Sequence, residues 1–157
     1  MPRTWVKVEG LRELERSLAE LPKALAKGAA RRTLVKAGTP MKQTARRLAP
    51  DDPATPDIDL NTSIEISSRQ KSGRQRKRTR EGKAAVTVYI GPTKEGYPQA
   101  IYQEFGTVHH GAQPYMRPAW DAHKMEALET VKVELGEEIT RTAARLAKRN
   151  ARLAKGK

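Results

Sequence analysis

The sequence predicts an α+β fold: a small antiparallel sheet packed against long N-terminal and C-terminal helices, with a long basic hairpin loop. Three observations predict it. Apolar residues recur every three or four positions towards both ends of the chain, the period of an amphipathic helix. Two short segments between those regions alternate apolar and polar, the period of a half-buried strand. The stretch joining the two segments is almost purely polar and strongly basic.

Taken in order, residues 5–9 (WVKVE) alternate and read as a short strand or extended arm that Gly10 ends. Leu11, Leu14, Leu18 and Leu21 then recur at helical spacing, and Pro22 stops or kinks that helix. A second helix is expected over 22–48, with the stripe Ala26, Ala30, Leu34, Ala37, Met41, Ala45 and Leu48. Its small alanines would let another helix come close. Gly38-Thr39-Pro40 interrupts the pattern and predicts a kink near 36–40, or two helices. Three prolines and four aspartates make 50–59 a loop.

Residues 62–67 alternate, with Ile64 and Ile66 on one face and Ser63 and Glu65 on the other. Residues 84–91 do the same, with Val86, Val88 and Ile90 opposed to Thr87 and Tyr89. The two are expected to pair antiparallel. The longest helix is expected over about 118–150, where Met125, Leu128, Val131, Leu135, Ile139, Thr142 or Ala143, and Leu146 form the stripe. Pro118 fits its first turn, and residues 150–157 are expected to fray.

The 157 residues fit one domain spanning 1–157. A formal charge of +13 favours a polyanionic partner, the other reading being solubility through colloidal repulsion. No cysteine is present, so disulfide and thiol chemistry are excluded, which suits a reducing compartment. No apolar run approaches the ~18 residues of a membrane span, and residues 1–10 lack the apolar core of a signal peptide.

Much of the charge sits in the hairpin loop, residues 68–83. Arg69, Lys71, Arg74, Arg76, Lys77, Arg78, Arg80 and Lys83 are opposed there only by Glu81. Self-repulsion keeps such a loop extended and mobile. It reads either as an arm that touches DNA phosphate or an acidic protein surface, or as a solvated loop. No aromatic interleaves the cations, so any DNA contact is expected to be sequence-independent.

Catalytic chemistry is not expected. There is no Gly-x-Ser-x-Gly and no phosphate-cradling glycine loop. Asp51, Asp52, Asp57 and Asp59 lack the order and terminal glutamate of a calcium loop. His109 and His110 are adjacent, and with His123 they do not offer the spacing of a helical metal pair. Glu104 has no second carboxylate or histidine at a defined spacing, so it reads as a structural acid pairing with Arg117 or accepting backbone donors in its turn. The chain is expected to be no enzyme and to need no cofactor or metal.

Residues 97–120, YPQAIYQEFGTVHHGAQPYMRPAW, hold most of the aromatics: Tyr97, Tyr102, Phe105, Tyr115 and Trp120. Gly106, Gly111, Pro98, Pro114 and Pro118 punctuate the backbone, as in a shaped turn packed by its own side chains. Gly106 is expected at φ > 0 and Phe105 is expected to be buried. The pattern Tyr97-x4-Tyr102-x-Glu104-Phe105-Gly106-Thr107, followed by Ala112-Gln113-Pro114-Tyr115-Met116-Arg117-Pro118-Ala119, resembles the neck, or tail-completion, family of long-tailed bacteriophages. The family's layout is similar over nearly the whole chain: a Leu-rich N-terminal helix, Leu48-Ala49-Pro50, a strand start at Leu60-x-x-Ser63-Ile64 and a later Val-x-Val-x-Ile-Gly strand. It departs at Asp57-Ile58-Asp59-Leu60, where the family often has Thr-Gly-x-Leu, which bears on the turn after Pro50.

That resemblance implies a structural virion protein made in the host bacterial cytoplasm. It would form a ring, sixfold in keeping with the tail, at the head–tail junction. The ring would complete the tail and join it to the head connector around the DNA channel. The implied partners are other copies of the chain, the head connector or head-closure protein, the tail terminator or tail-tube protein, and packaged DNA without sequence specificity; no membrane is involved. Tyr102, Glu104, Phe105, Gly106, Thr107, Pro114, Tyr115, Met116, Arg117 and Pro118 would then be the structural turn and subunit interface. The other reading is a sequence-independent nucleic-acid-binding protein.

Overall fold

The computed structural model describes residues 11–50, 59–68, 86–96 and 99–155. The expected arm at 5–9, most of the 50–59 loop, nearly all of the basic loop at 68–83 and residues 156–157 lie outside the described residues. Helices α1 (Leu11–Ala19) and α2 (Lys23–Leu48) come first, then a single helical turn α3 (Leu60–Ser63). Strands β1 (Ile64–Ser67) and β2 (Tyr89–Pro92) follow, then a short helix α4 (Gln99–Phe105) and the long helix α5 (Met116–Lys155). The fold is α+β, as the periodicities predict.

Helix α2 starts directly after Pro22, which has no N–H to continue α1 and turns extended at ψ 133°, and ends where Ala49 turns extended at φ −62°, ψ 127° ahead of Pro50. The expected break at Pro40 does not divide it: Pro40 lies inside one helix. Its missing N–H costs the bond to the Lys36 carbonyl, while one residue earlier the Thr39 hydroxyl donates to the Val35 carbonyl at 2.9 Å. The buried face follows the expected stripe at Ala37, Met41 and Ala45 and departs from it on either side. Ala29, Thr33, Ala37, Met41 and Ala45 are buried at four-residue spacing, with Gly38 beside them. Ala26, Ala30 and Leu34 are half-buried and Leu48 is exposed. Small volume, more than hydrophobicity, selects this face, because it lies against another backbone.

That other backbone is α5, which runs antiparallel to α2. Arg32 pairs with Glu138, its Nε at 2.9 Å from the carboxylate, Lys36 pairs with Glu134, and the Thr44 hydroxyl meets the His123 ring at 2.7 Å. Helix α1 folds back against α5, bringing Leu14 to Gly136, where an added Cβ would sit 3.5 Å from the leucine. On α5, Ala119, Ile139 and Thr142 are buried and Leu128, Val131, Leu135 and Leu146 half-buried, but Met125 is exposed, contrary to the expected stripe. The helix also runs on to Lys155, past its expected end near 150.

The sheet is the expected antiparallel pair, shorter than the alternation suggests. Its register matches Ile64 to Pro92, Glu65 to Gly91, Ile66 to Ile90 and Ser67 to Tyr89. Residues 62–63 belong to the turn α3 instead of the strand, and 86–88 precede the ladder. Ile66 and Ile90 lie over Gly38 of α2: a Cβ there would sit 2.8 Å from Ile90 Cδ1 and 3.6 Å from Ile66 Cδ1. The sheet thus rests on an α2 position that has no side chain. Arg46 of α2 secures the strand entry, donating to the carbonyls of Ile64 and Thr62 at 3.0 Å each.

The main core gathers Met41, Ala45, Ala49, Leu60, Ile64, Ala100, Tyr115 and Ala119, with Ile90 and Met116 packed against it. Tyr115 and Ile64 are its largest fully buried side chains. Among the described residues no helix is long and apolar enough to cross a membrane.

Candidate functional site

The aromatic-rich stretch is built around Glu104. It lies in α4 and is buried, although it is an acid in a basic chain. Its Oε2 accepts the backbone N–H groups of Tyr115 and Met116, both at 2.9 Å, and its Oε1 accepts the N–H of Arg117 at 3.1 Å. Those donors are at the start of α5, where a helix leaves N–H groups without partners of its own. A carboxylate there also meets the positive end of the helix dipole. The side chain of Arg117 adds an Nε bond to Oε1 at 2.8 Å and a bond from a terminal nitrogen to the Glu104 backbone carbonyl at 2.6 Å. Both readings of Glu104 made from the sequence therefore hold at once.

Burial by itself would raise the Glu104 carboxyl, but the Arg117 side chain and the three backbone donors outweigh it and hold it below its ordinary range. Tyr115 moves the other way: burial, with the nearby Glu104 charge adding to it, pushes its phenol up to about 12. The site stores a fixed negative charge and a neutral phenol. Neither group is poised to exchange a proton near neutral pH.

The loop between α4 and α5 is closed at both ends. Gly106 N–H donates to the Tyr102 carbonyl at 2.8 Å, ending α4. Gly106 then takes φ +77°, as expected from sequence, and a Cβ there would lie 2.9 Å from the Ala112 nitrogen and 3.0 Å from the His110 oxygen. Thr107 N–H donates to His110 O at 2.8 Å, and the Thr107 hydroxyl accepts the His109 N–H at 3.2 Å. Gln113 N–H donates to Gln103 O at 2.7 Å, joining the far side of the loop back to α4. Pro114 and Pro118 are exposed on either side of the helix start, and Met116 is half-buried against the core.

Phe105 is not where the sequence places it. It is 66 % exposed in the single chain, and Tyr102 is 51 % exposed. Ile101, Tyr102 and Phe105 fall within about 100° of arc on α4, and all three are exposed, whereas Ala100 and Glu104 point inward. Helix α4 is thus inverted: its acid is inside and its aromatics are outside. The Phe105 ring lies under Arg117, the guanidinium carbon 5.1 Å from its centroid. Trp120 and Val108 are exposed close by in sequence.

One constellation was missed by sequence reasoning. His123 Nδ1 is 2.7 Å from Glu126 Oε2, and its Nε2 is 2.7 Å from the Thr44 hydroxyl. The i,i+3 spacing of His123 and Glu126 was the available signal; Thr44 had none. A hydroxyl–imidazole–carboxylate chain can activate a nucleophile, but Thr44 and His123 both sit inside helices whose backbone N–H groups are already used. No oxyanion site follows from that backbone, and the chain reads as a clip between α2 and α5. Among the described residues, no group of three or more His, Asp or Glu is placed to hold a metal.

The basic loop residues Arg69, Lys71, Arg74, Arg76, Lys77, Arg78, Arg80 and Lys83 lie outside the described residues. Compared with known proteins, the chain finds no matching family model, no matching curated protein and no matching solved structure.

Proposed function

We propose that this chain is a structural subunit of a bacteriophage neck. It assembles with itself into a ring, sixfold in keeping with the tail, that completes the tail and joins it to the head connector around the DNA channel. Its neighbours are the head connector or head-closure protein on one side and the tail terminator or tail-tube protein on the other. The reading starts from the Glu-Phe-Gly-Thr and Pro-Tyr-Met-Arg-Pro-Ala segments. One observation carries it beyond resemblance: α4 buries Glu104 and exposes Ile101, Tyr102 and Phe105. A rigid helix whose aromatics face solvent is a surface made for a protein neighbour. The clamp on α5 holds that surface in one orientation, which a ring subunit needs if the ring is to close.

Electron microscopy of the purified chain mixed with tail tubes tests this. Rings, or tubes capped at one end, are expected. A chain that stays monomeric and leaves every tube uncapped overturns the reading. The basic composition also favours a sequence-independent nucleic-acid-binding protein, which would show salt-sensitive duplex binding by the monomer and no association with tail components.

A further inference from the structure

We infer that the distal end of α5, from Arg145 to Arg152, is a binding surface for the phosphate backbone of duplex DNA. Residues 139–157 contain seven Lys or Arg and no Asp or Glu, the last acid of the chain being Glu138. Arg32 and Arg141 engage that acid, and Arg141 also bonds Glu137. Beyond this point Arg145, Lys148, Arg149 and Arg152 are all exposed, and none has an ion pair among the described residues.

Helical geometry gathers these four. At 100° per residue they fall within about 100° of arc, over about 10 Å of helix rise. A cation therefore recurs every few ångströms along one face of a rigid rod. Duplex DNA presents one negative charge per about 1.7 Å of its axis, so such a rod finds phosphates without regard to sequence. No aromatic residue follows Trp120, so nothing on this segment stacks on bases.

The rod is also free to reach. Arg32 lies opposite Glu138 and Lys36 opposite Glu134 in the antiparallel α2–α5 pair. Helix α2 starts at Lys23, so α5 outruns it in the last turns. Leu153 shows this directly: it continues the face of Ile139 and Leu146, yet is 65 % exposed. Exposed Lys23 and Arg31 of α2 add positive charge towards the same end, while α1, packed on α5, contributes Arg12 and Arg16 against Glu13, Glu15 and Glu20.

The inference rests on the neck reading only in naming DNA as the nucleic acid; the phosphate surface stands on charge and geometry alone. Binding of a labelled duplex by the full chain, followed by anisotropy across a salt series, tests it. Replacing Arg145, Lys148, Arg149 and Arg152 together with Gln is expected to weaken binding at least about tenfold and to flatten the log–log salt slope by about 3 to 4. Replacing Arg74, Arg76, Lys77, Arg78 and Arg80 with Gln gives the matched control in the basic loop, and circular dichroism checks that helix is retained. A wild-type chain that does not bind duplex overturns the inference, as does a helix variant that keeps the wild-type slope. Poly-glutamate bound as tightly as DNA, with the same loss in the variant, would overturn it in favour of an acidic protein partner. Ring assembly is read separately by electron microscopy, so failure here leaves the neck reading standing, and the reverse.

Discussion

Arg117 holds Glu104 at two points, donating Nε to its carboxylate at 2.8 Å and a terminal nitrogen to its backbone carbonyl at 2.6 Å. One residue therefore fixes both the side chain and the main chain of the other. Because Glu104 lies in the last turn of α4 and Arg117 in the first turn of α5, the pair sets the angle at which the exposed aromatics leave the long helix. Pairs like this add rigidity more dependably than net stability, since burying a carboxylate has its own desolvation cost.

Glu104→Gln should remove the charge while keeping the shape. Gln retains one acceptor but turns an amide N–H₂ towards groups that are themselves donors, so a loss on the order of 2–4 kcal/mol is expected. The pH dependence has a definite sign. The carboxyl is held below its ordinary value of 4.5, so the stabilisation is present above that value and is lost as pH falls through the lower folded value. Thermal melts of wild type and variant should differ widely at pH 7, and the gap should narrow as pH falls below 4.5 and through the lower folded value. A gap as wide in acid as at neutrality would mean that shape, not charge, holds the clamp.

Gly106→Val should cost about 1–3 kcal/mol, because a β-branched residue is forced to positive φ. It also meets backbone, not a yielding side chain: the Ala112 nitrogen and His110 oxygen lie 2.9 and 3.0 Å from the added Cβ. Urea denaturation reads the loss directly. An unchanged midpoint would show that the loop has another conformation of similar energy.

Tyr102→Ser with Phe105→Ser should separate assembly from folding. Both side chains are more exposed than buried in the single chain, so the melting temperature of the monomer should move little, within about 0.5 kcal/mol of stability. Association with neighbouring subunits should fall sharply, because exposed aromatics dominate protein interfaces. Sedimentation velocity of wild type and variant checks it. Equal association of the two would place the interface elsewhere.

The turn around Phe105 also shows where the sequence was legible and where it was not. Glu104 and Gly106 could be read because their reasons are local: an acid facing a helix start, and a turn that needs positive φ. The strands could be read because Ile64, Ile66 and Ile90 keep a period of two that a half-buried pair requires. Phe105 could not, because an aromatic left exposed on a helix and one packed in a core look alike in sequence. The buried face of α2 was legible at Ala37, Met41 and Ala45 but not before them. Thr33 and Gly38 face inward because they are small, and a search for hydrophobic residues passes over them in favour of Leu34 and Leu48; Ala29 looks no different in sequence from Ala26 and Ala30 beside it. Thr44 was missed because its partner, His123, is 79 positions away.

Gly38 and Ile90 offer the sharpest test of how the sheet rests on α2. Alone, Gly38→Ala in a helix interior should stabilise by about 0.5–1 kcal/mol through backbone entropy. Here the new Cβ would lie 2.8 Å from Ile90 Cδ1, closer than carbon atoms tolerate, so the isoleucine must move and the gain should vanish or reverse. Ile90→Val removes that terminal carbon and should cost about 0.5–1.5 kcal/mol on its own. The remaining neighbours, Ile90 Cγ1 and Ile66 Cδ1, are at 3.6 Å, an ordinary contact distance. In the Ile90→Val background Gly38→Ala should therefore recover its full helical gain. The double-mutant cycle is expected to show a favourable coupling of about 1 kcal/mol by urea denaturation. Strict additivity would mean that β2 does not bear on α2 at Gly38, and that the register of sheet on helix is set instead by Arg46 and its two carbonyls.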